Sequence, residues 1–157
     1  MKQLFIDLEI CNKCKECKVK CSYFYHPQNN GITTLRELAN FATVCRQCEQ
    51  APCVKACPQD ALEKQEDGTL KRYNMRCIGC KSCVLSCPFG TIYPEVIPYL
   101  VSQCDYCSGQ ANGKIPECVN TCPFEAVKYI DVEENPEENI FVVGKNLVVH
   151  SIPWGGK

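Results

Sequence analysis

The stretch from Cys77 to Pro88 reads CIGCKSCVLSCP. Its spacing, C-x2-C-x2-C-x3-C-P, is an iron–sulfur run. Three closely spaced thiolates can wrap one corner of a [4Fe–4S] cube. The fourth, four residues after the third, lies about 6 Å further along if the segment is helical. That displacement is why, in two-cluster proteins, the fourth cysteine ligates the other cluster. One such run therefore requires a second, and the chain has three more quartets: Cys11, Cys14, Cys17 and Cys21; Cys45, Cys48, Cys53 and Cys57; Cys104, Cys107, Cys118 and Cys122. Cys77, Cys80, Cys83 and Cys87 form the third in chain order.

Sixteen cysteines in 157 residues is a density that points to a framework other than a hydrophobic core. Disulfides and metal are the two readings, and compartment separates them. The N-terminal MKQLFIDLEIC lacks the apolar core and small-residue cleavage site of a secretory signal. No run approaches the roughly 18 apolar residues of a membrane span. A cytoplasmic, reducing setting is expected, where cysteines serve as metal ligands. Net charge is −1 but unevenly spread: residues 1–94 carry 13 Lys/Arg against 9 Asp/Glu, and residues 95–157 carry 4 against 9. Lys13, Lys15, Lys18 and Lys20 interleave the first quartet, and Arg76 and Lys81 attend the third. These cations are expected to offset the charge of anionic clusters. Neither a dominant positive charge nor a recognised motif supports nucleic-acid binding.

Along the chain, Lys2–Ile6 has the alternation of a short strand. Tyr23, Phe24 and Tyr25 follow the first quartet as packing aromatics. HPQNNG, residues 26–31, reads as a turn-rich loop, which makes His26 a loop residue rather than a ligand. Thr34 and Glu37 make a capping-box signature, predicting a helix from Leu35 to about Ala42. Asp67–Gly68 signals a two-residue hairpin turn. Pro94 and Pro98 limit any helix between the third and fourth quartets. The ten-residue insert from Ser108 to Glu117 reads as a polar surface loop. Beyond it, Ala126–Val132 is predicted as a strand. Ile140–Val143 and Leu147–His150 are predicted as a hairpin, before a tail with the only tryptophan, Trp154. The quartets also reveal a repeat: CPQDAL, CPFGTI and CPFEAV, beginning at Cys57, Cys87 and Cys122, share C-P-x-x-[A/T]-apolar. Proline holds the preceding cysteine extended and ends its helical turn. The first quartet departs from this, with Ser22 in place of proline.

Sixteen thiolates are the number required by four cubes with four ligands each. Zinc is the competing metal, but its four-cysteine sites usually pair two separated C-x2-C knuckles. Three ligands in seven residues followed by a fourth and proline is the iron–sulfur pattern. There is no Ser–His–Asp pattern, no glycine-rich phosphate loop and no histidine set for an open metal site. Single-electron transfer, without a catalytic site of its own, is the expected activity.

Over residues 11–122 the four quartets resemble the four-cluster ferredoxin subunits of DMSO reductase, formate dehydrogenase, hydrogenase and CO dehydrogenase complexes. The resemblance implies an α+β fold of two interleaved bacterial-ferredoxin-like units, with few short helices and hairpins, braced by iron–sulfur clusters. Residues 1–44 plus 95–157 would form the outer unit, and residues 45–94 the inner one. It also implies four ligand sets. Cys11, Cys14 and Cys17 would share a cube with Cys122, and Cys104, Cys107 and Cys118 with Cys21. Cys45, Cys48 and Cys53 would share with Cys87, and Cys77, Cys80 and Cys83 with Cys57.

Membrane-bound relatives carry an anchor helix that this sequence lacks, so it is similar to the soluble members. The stretch CSYFYHPQNNGIT, residues 21–33, resembles small subunits that serve tungsten-pterin enzymes of the aldehyde oxidoreductase family, including those that reduce benzoyl-CoA. The implied partners are a larger catalytic subunit and a further redox protein. A tungsten- or molybdenum-pterin enzyme is favoured; hydrogenase and CO dehydrogenase are the other candidates. The rival readings are a freely diffusing polyferredoxin and a zinc-stapled interaction module. The insert, the acidic turn from Asp131 to Glu138 and the C-terminal hairpin with its tail are surplus to cube closure. They are candidate docking elements; the alternative for the tail is that it covers the edge of a small sheet.

Overall fold

The computed structural model describes residues 2–21, 24–26, 29–66, 68–92, 104, 114–143 and 146–152. The expected Pro94–Pro98 segment, Cys107, most of the insert and Trp154 lie outside the described residues.

A four-stranded sheet anchors one core. Strand β1 (Gln3–Asp7) turns directly into a short helix, α1 (Leu8–Cys11), capped by the Asp7 carboxylate, which accepts from Ile10 N–H at 3.0 Å. β1 pairs antiparallel with β6 (Val127–Ile130) and parallel with β8 (Leu147–His150), which pairs antiparallel with β7 (Ile140–Val143). Leu4, Ile6, Val127, Leu147 and Val149 of the sheet and Leu8 of α1 are each at most 2% exposed and form this core. The C-terminal hairpin is thus a structural part of the sheet. β8 lies between β1 and β7, so these residues are not surplus to the fold. The buried run Leu147, Val148 and Val149 explains why: burying it against β1 outweighs leaving an independent hairpin in water.

Between the first and second quartets lie β2 (Phe24–His26), β3 (Asn29–Asn30) and helix α2 (Gly31–Val44). His26 therefore ends a short strand instead of sitting in a loop. α2 begins about one turn before the expected start at Leu35. Ile32, Leu35, Leu38 and Ala39 pack into the sheet's core, and burial of Ile32 draws the extra turn into the helix. Phe41, further along α2, enters a second core with Cys53, Leu62, Leu70, Cys83 and Ile92.

The second core is built from very short pieces. Helices α3 (Pro52–Ala56) and α4 (Ser82–Ser86) pack on each other. Strands β4 (Leu62–Lys64) and β5 (Leu70–Arg72) form an antiparallel hairpin. Its connection is longer than the two-residue turn expected at Asp67–Gly68. Gln65 N–H donates to Thr69 C=O, Gly68 N–H donates to Gln65 C=O, and Gly68 takes φ +85°. That pattern is a turn closed by a left-handed residue. Helix α5 (Glu117–Thr121) precedes Cys122, and β6 then covers most of the expected strand from Ala126 to Val132.

Candidate metal centres

Each helix that ends on a Cys-Pro pair ends the same way. Cys57, Cys87 and Cys122 cap α3, α4 and α5 with ψ of 114°, 115° and 112°. This is the extended backbone expected of a residue before proline. Three residues past each cysteine the chain turns left-handed, at Asp60 (φ 48°), Gly90 (φ 63°) and Glu125 (φ 52°). That turn aims the next N–H backwards: Ala61 N–H donates to Cys57 Sγ at 3.3 Å. Thr91 N–H does the same for Cys87, whose Sγ also lies 3.8 Å from Thr91 Oγ1. The repeated [A/T]-apolar pair follows as a consequence. Ala61, Leu62, Ile92, Ala126 and Val127 are all buried beneath the turns.

A second pair of left-handed residues recurs in quartets two and three. Gln47 (φ 51°) and Gly79 (φ 68°) precede the second cysteine; Ala51 (φ 40°) and Lys81 (φ 61°) begin the helices that carry the third. Two of them bring an N–H to sulfur: that of Gln47 faces Cys45 and that of Gly79 faces Cys77.

The structure gathers cysteines from different quartets. Cys11, Cys14, Cys17 and Cys122 line one pocket, with Arg36 of α2 in its wall. Cys45, Cys48, Cys53 and Cys87 line another, with Lys64 of β4. Cys83 is close enough to feel the charges of Cys57 and Cys80, and Cys77 that of Cys80. Cys104 and Cys118 pack against the sheet's core, as Cys122 does. Cys21, the remaining described member of its expected set, lies directly after Lys20, whose N–H donates to Thr121 Oγ1 at 3.0 Å. Every described cysteine is a free thiol. Among the described residues, no three His, Cys, Asp or Glu side chains converge on the point one metal ion would fill.

Burial and hydrogen bonding divide the thiols. Burial raises Cys11, against the pull of Arg36, and likewise raises Cys45 and Cys83. Burial pushes Cys53 up to about 11. Cys77 is lowered by the Gly79 N–H and then by Arg72, whose Nη1 donates to its Sγ at 3.4 Å. Cys80, exposed, is lowered by the hydroxyl and N–H of Ser82. Burial raises Cys87 too, but the N–H groups of Thr91, Phe89 and Gly90 together outweigh it and the thiol is lowered. Iron binds thiolate, so the buried thiols must give up protons as metal enters. The N–H donors and cations then hold the resulting negative charge. This donor set, with thiolates around an enclosed space backed by N–H groups and cations, fits [4Fe–4S] clusters.

The cations that face sulfur are only partly those expected: Lys18 lines the pocket of Cys11, Cys14, Cys17 and Cys122 beside Arg36. Arg36, Lys64 and Arg72 lie outside the cysteine runs, whose spacing does not point to them. Arg76 instead stacks on Tyr73, 4.6 Å from the ring centroid, and reaches the Asp60 carbonyl. Lys13, Lys15 and Lys18 line an open groove beside Cys14 and Phe124.

A family profile described as a 4Fe-4S dicluster domain matches residues 36–132, which hold quartets two, three and four. The chain belongs to this 4Fe-4S dicluster family. Among relatives in Escherichia coli K12, the putative electron transport protein YsaA is 35% identical over 147 residues, covering 83% of this chain and 90% of its own length. One subunit of the anaerobic dimethyl sulfoxide reductase is 31% identical over 150 residues, covering 83% of this chain and 73% of its own. The electron transport protein HydN is 30% identical over 156 residues, covering 82% and 87%. As a member of the dicluster family this chain is a ferredoxin-type electron-transfer protein that uses iron–sulfur clusters, without a catalytic site of its own. The zinc-stapled reading falls with that assignment. No helix among the described residues is long and apolar enough to cross a membrane.

Proposed function

We propose that the protein holds four [4Fe–4S] clusters and relays single electrons between a larger catalytic oxidoreductase subunit and a further redox protein in the cytoplasm. The observation that carries this reading is the exchange of fourth cysteines. Cys122 lines the pocket of Cys11, Cys14 and Cys17, Cys87 that of Cys45, Cys48 and Cys53, and Cys57 lies within electrostatic reach of Cys83. This supports three ligand sets: Cys11, Cys14, Cys17 and Cys122; Cys45, Cys48, Cys53 and Cys87; Cys57, Cys77, Cys80 and Cys83. The fourth set, Cys21, Cys104, Cys107 and Cys118, completes the sixteen. Two separate cores favour an outer unit of residues 1–44 with 95–157 and an inner unit of residues 45–94, with α2 reaching into both.

A bound cluster supplies reversible one-electron exchange at filled iron coordination. The chain's own residues shape that exchange. Ala61 and Thr91 N–H groups hold the sulfurs of Cys57 and Cys87, the buried cysteines keep water away, and cations compensate charge. The favoured partner is a tungsten- or molybdenum-pterin enzyme, on the likeness of residues 21–33; hydrogenase and CO dehydrogenase are the alternatives. The similarity to a subunit of an anaerobic reductase supports service to a catalytic subunit. Anaerobic purification from the native source tests this. A stable, co-purifying large subunit with a pterin metal supports the reading. A four-cluster protein that purifies alone makes it a free polyferredoxin.

A further inference from the structure

We propose that Arg36, Lys64 and Arg72 set the reduction potentials of three clusters one by one, each raising the potential of the cluster it faces. The inference rests on the ligand sets proposed above. Each of the three groups is faced by a cation that its own cysteine run does not supply. Arg36 comes from α2, Lys64 from β4 and Arg72 from β5. A scaffold element thus carries each charge to the site, so its position is fixed by packing and not by a flexible loop.

The three contacts differ in kind. Arg72 is 7% exposed, and its Nη1 donates directly to Cys77 Sγ at 3.4 Å. Arg36 stands in the wall of the pocket formed by Cys11, Cys14, Cys17 and Cys122, and its buried Nε has no hydrogen-bond partner. Its charge reaches Cys11 across space. Lys64 Nζ donates to the carbonyls of Cys48 at 2.8 Å and Gln47 at 3.4 Å. The ammonium is held beside the ring of Cys45, Cys48, Cys53 and Cys87, with its protons committed to carbonyl oxygens.

A cluster gains one negative charge on reduction. A nearby fixed cation stabilises the reduced state more than the oxidised one, and more strongly where water is excluded. Removing the cation must lower the potential. The effect ranks with directness: Arg72, which touches a ligand sulfur, above Arg36, and Arg36 above Lys64, whose charge is partly answered by two carbonyl dipoles.

The test is an anaerobic redox titration of Arg36→Gln, Lys64→Gln and Arg72→Gln, followed by electron paramagnetic resonance. Each signal is first assigned with a Cys→Ser change in the matching set. For Arg72→Gln, the reduced-to-oxidised ratio of one cluster should fall about tenfold at fixed potential, ~59 mV for one electron. Smaller falls are expected for Arg36→Gln and then Lys64→Gln, each confined to its own cluster. Arg72→Lys, which keeps the charge but loses the guanidinium fork, gives a smaller fall and serves where the glutamine variant does not hold iron. Full iron with unmoved potentials, or equal shifts of all clusters, overturns the inference while leaving the cluster assignment intact. Wild-type protein lacking iron in one of these three groups defeats the assignment itself and the adjacent cation's role with it.

Discussion

Lys20 N–H donates to Thr121 Oγ1 at 3.0 Å, across 101 positions of sequence. Each residue immediately precedes the last cysteine of its quartet, so the bond sets the Cys21 and Cys122 turns side by side. Thr121 is itself fixed, because its hydroxyl donates to the Glu117 carbonyl at 2.8 Å within α5. The first and fourth quartets are therefore docked at the point where, in the proposed sets, each gives its fourth ligand to the other.

The exchange predicts paired phenotypes. Cys122→Ser should alter the same cluster signal as Cys11→Ser, and Cys21→Ser the same signal as Cys118→Ser. Electron paramagnetic resonance of the reduced variants checks this. If Cys21→Ser and Cys11→Ser instead share one altered spectrum, the first quartet closes on itself and the exchange is wrong.

The left-handed turn after each Cys-Pro pair separates backbone cost from packing cost. A Cβ added at Gly90 or Gly79 would meet nothing within 4 Å, but both residues sit at positive φ. Gly90→Ala should therefore destabilise by about 1–2 kcal/mol, the backbone penalty alone. Gly90→Asn should cost less, since asparagine tolerates this region. Anaerobic denaturant unfolding measures both, with iron content unchanged.

The C-terminal hairpin behaves as core. Leu147 is 0% exposed on the interior strand β8. Leu147→Ala should cost roughly 2–5 kcal/mol, as core truncations do. A loss below about 1 kcal/mol in denaturant unfolding would mean that β8 is peripheral after all.

How legible this was depends on the range of the interaction. Cysteine spacing is local and chemically strict, and Cys-Pro carries its own backbone restriction, so the extended cap at Cys57, Cys87 and Cys122 could be read directly. Hairpins were legible in place, since alternation and turn residues are local. The parallel pairing of Leu4 with Leu147 was not, because nothing in either strand names its partner. The left-handed conformations at Gln47, Asp60 and Glu125 carry no glycine to announce them. Nor do Arg36, Lys64 and Arg72 interleave a cysteine quartet as the expected lysines do; only folding of α2 and the β4–β5 hairpin brings them to sulfur.

Cluster loss should act unevenly. The second core rests on five-residue helices, far too short to persist alone, and among the described residues Cys53 and Cys83 are two of its six buried members. Chelation with oxidation should strip amide protection from residues 53–57 and 83–87 first, while β1 and β8 keep theirs longest. Hydrogen exchange that shows the two regions opening together would contradict this.

The most direct measurement is the iron and acid-labile sulfide content of anaerobically purified, fully reconstituted protein. Four cubes on sixteen cysteines predict about 16 iron and about 16 sulfide per chain. A plateau at about half those values would contradict the four-cluster account, leaving a two-cluster carrier with half its thiols unused.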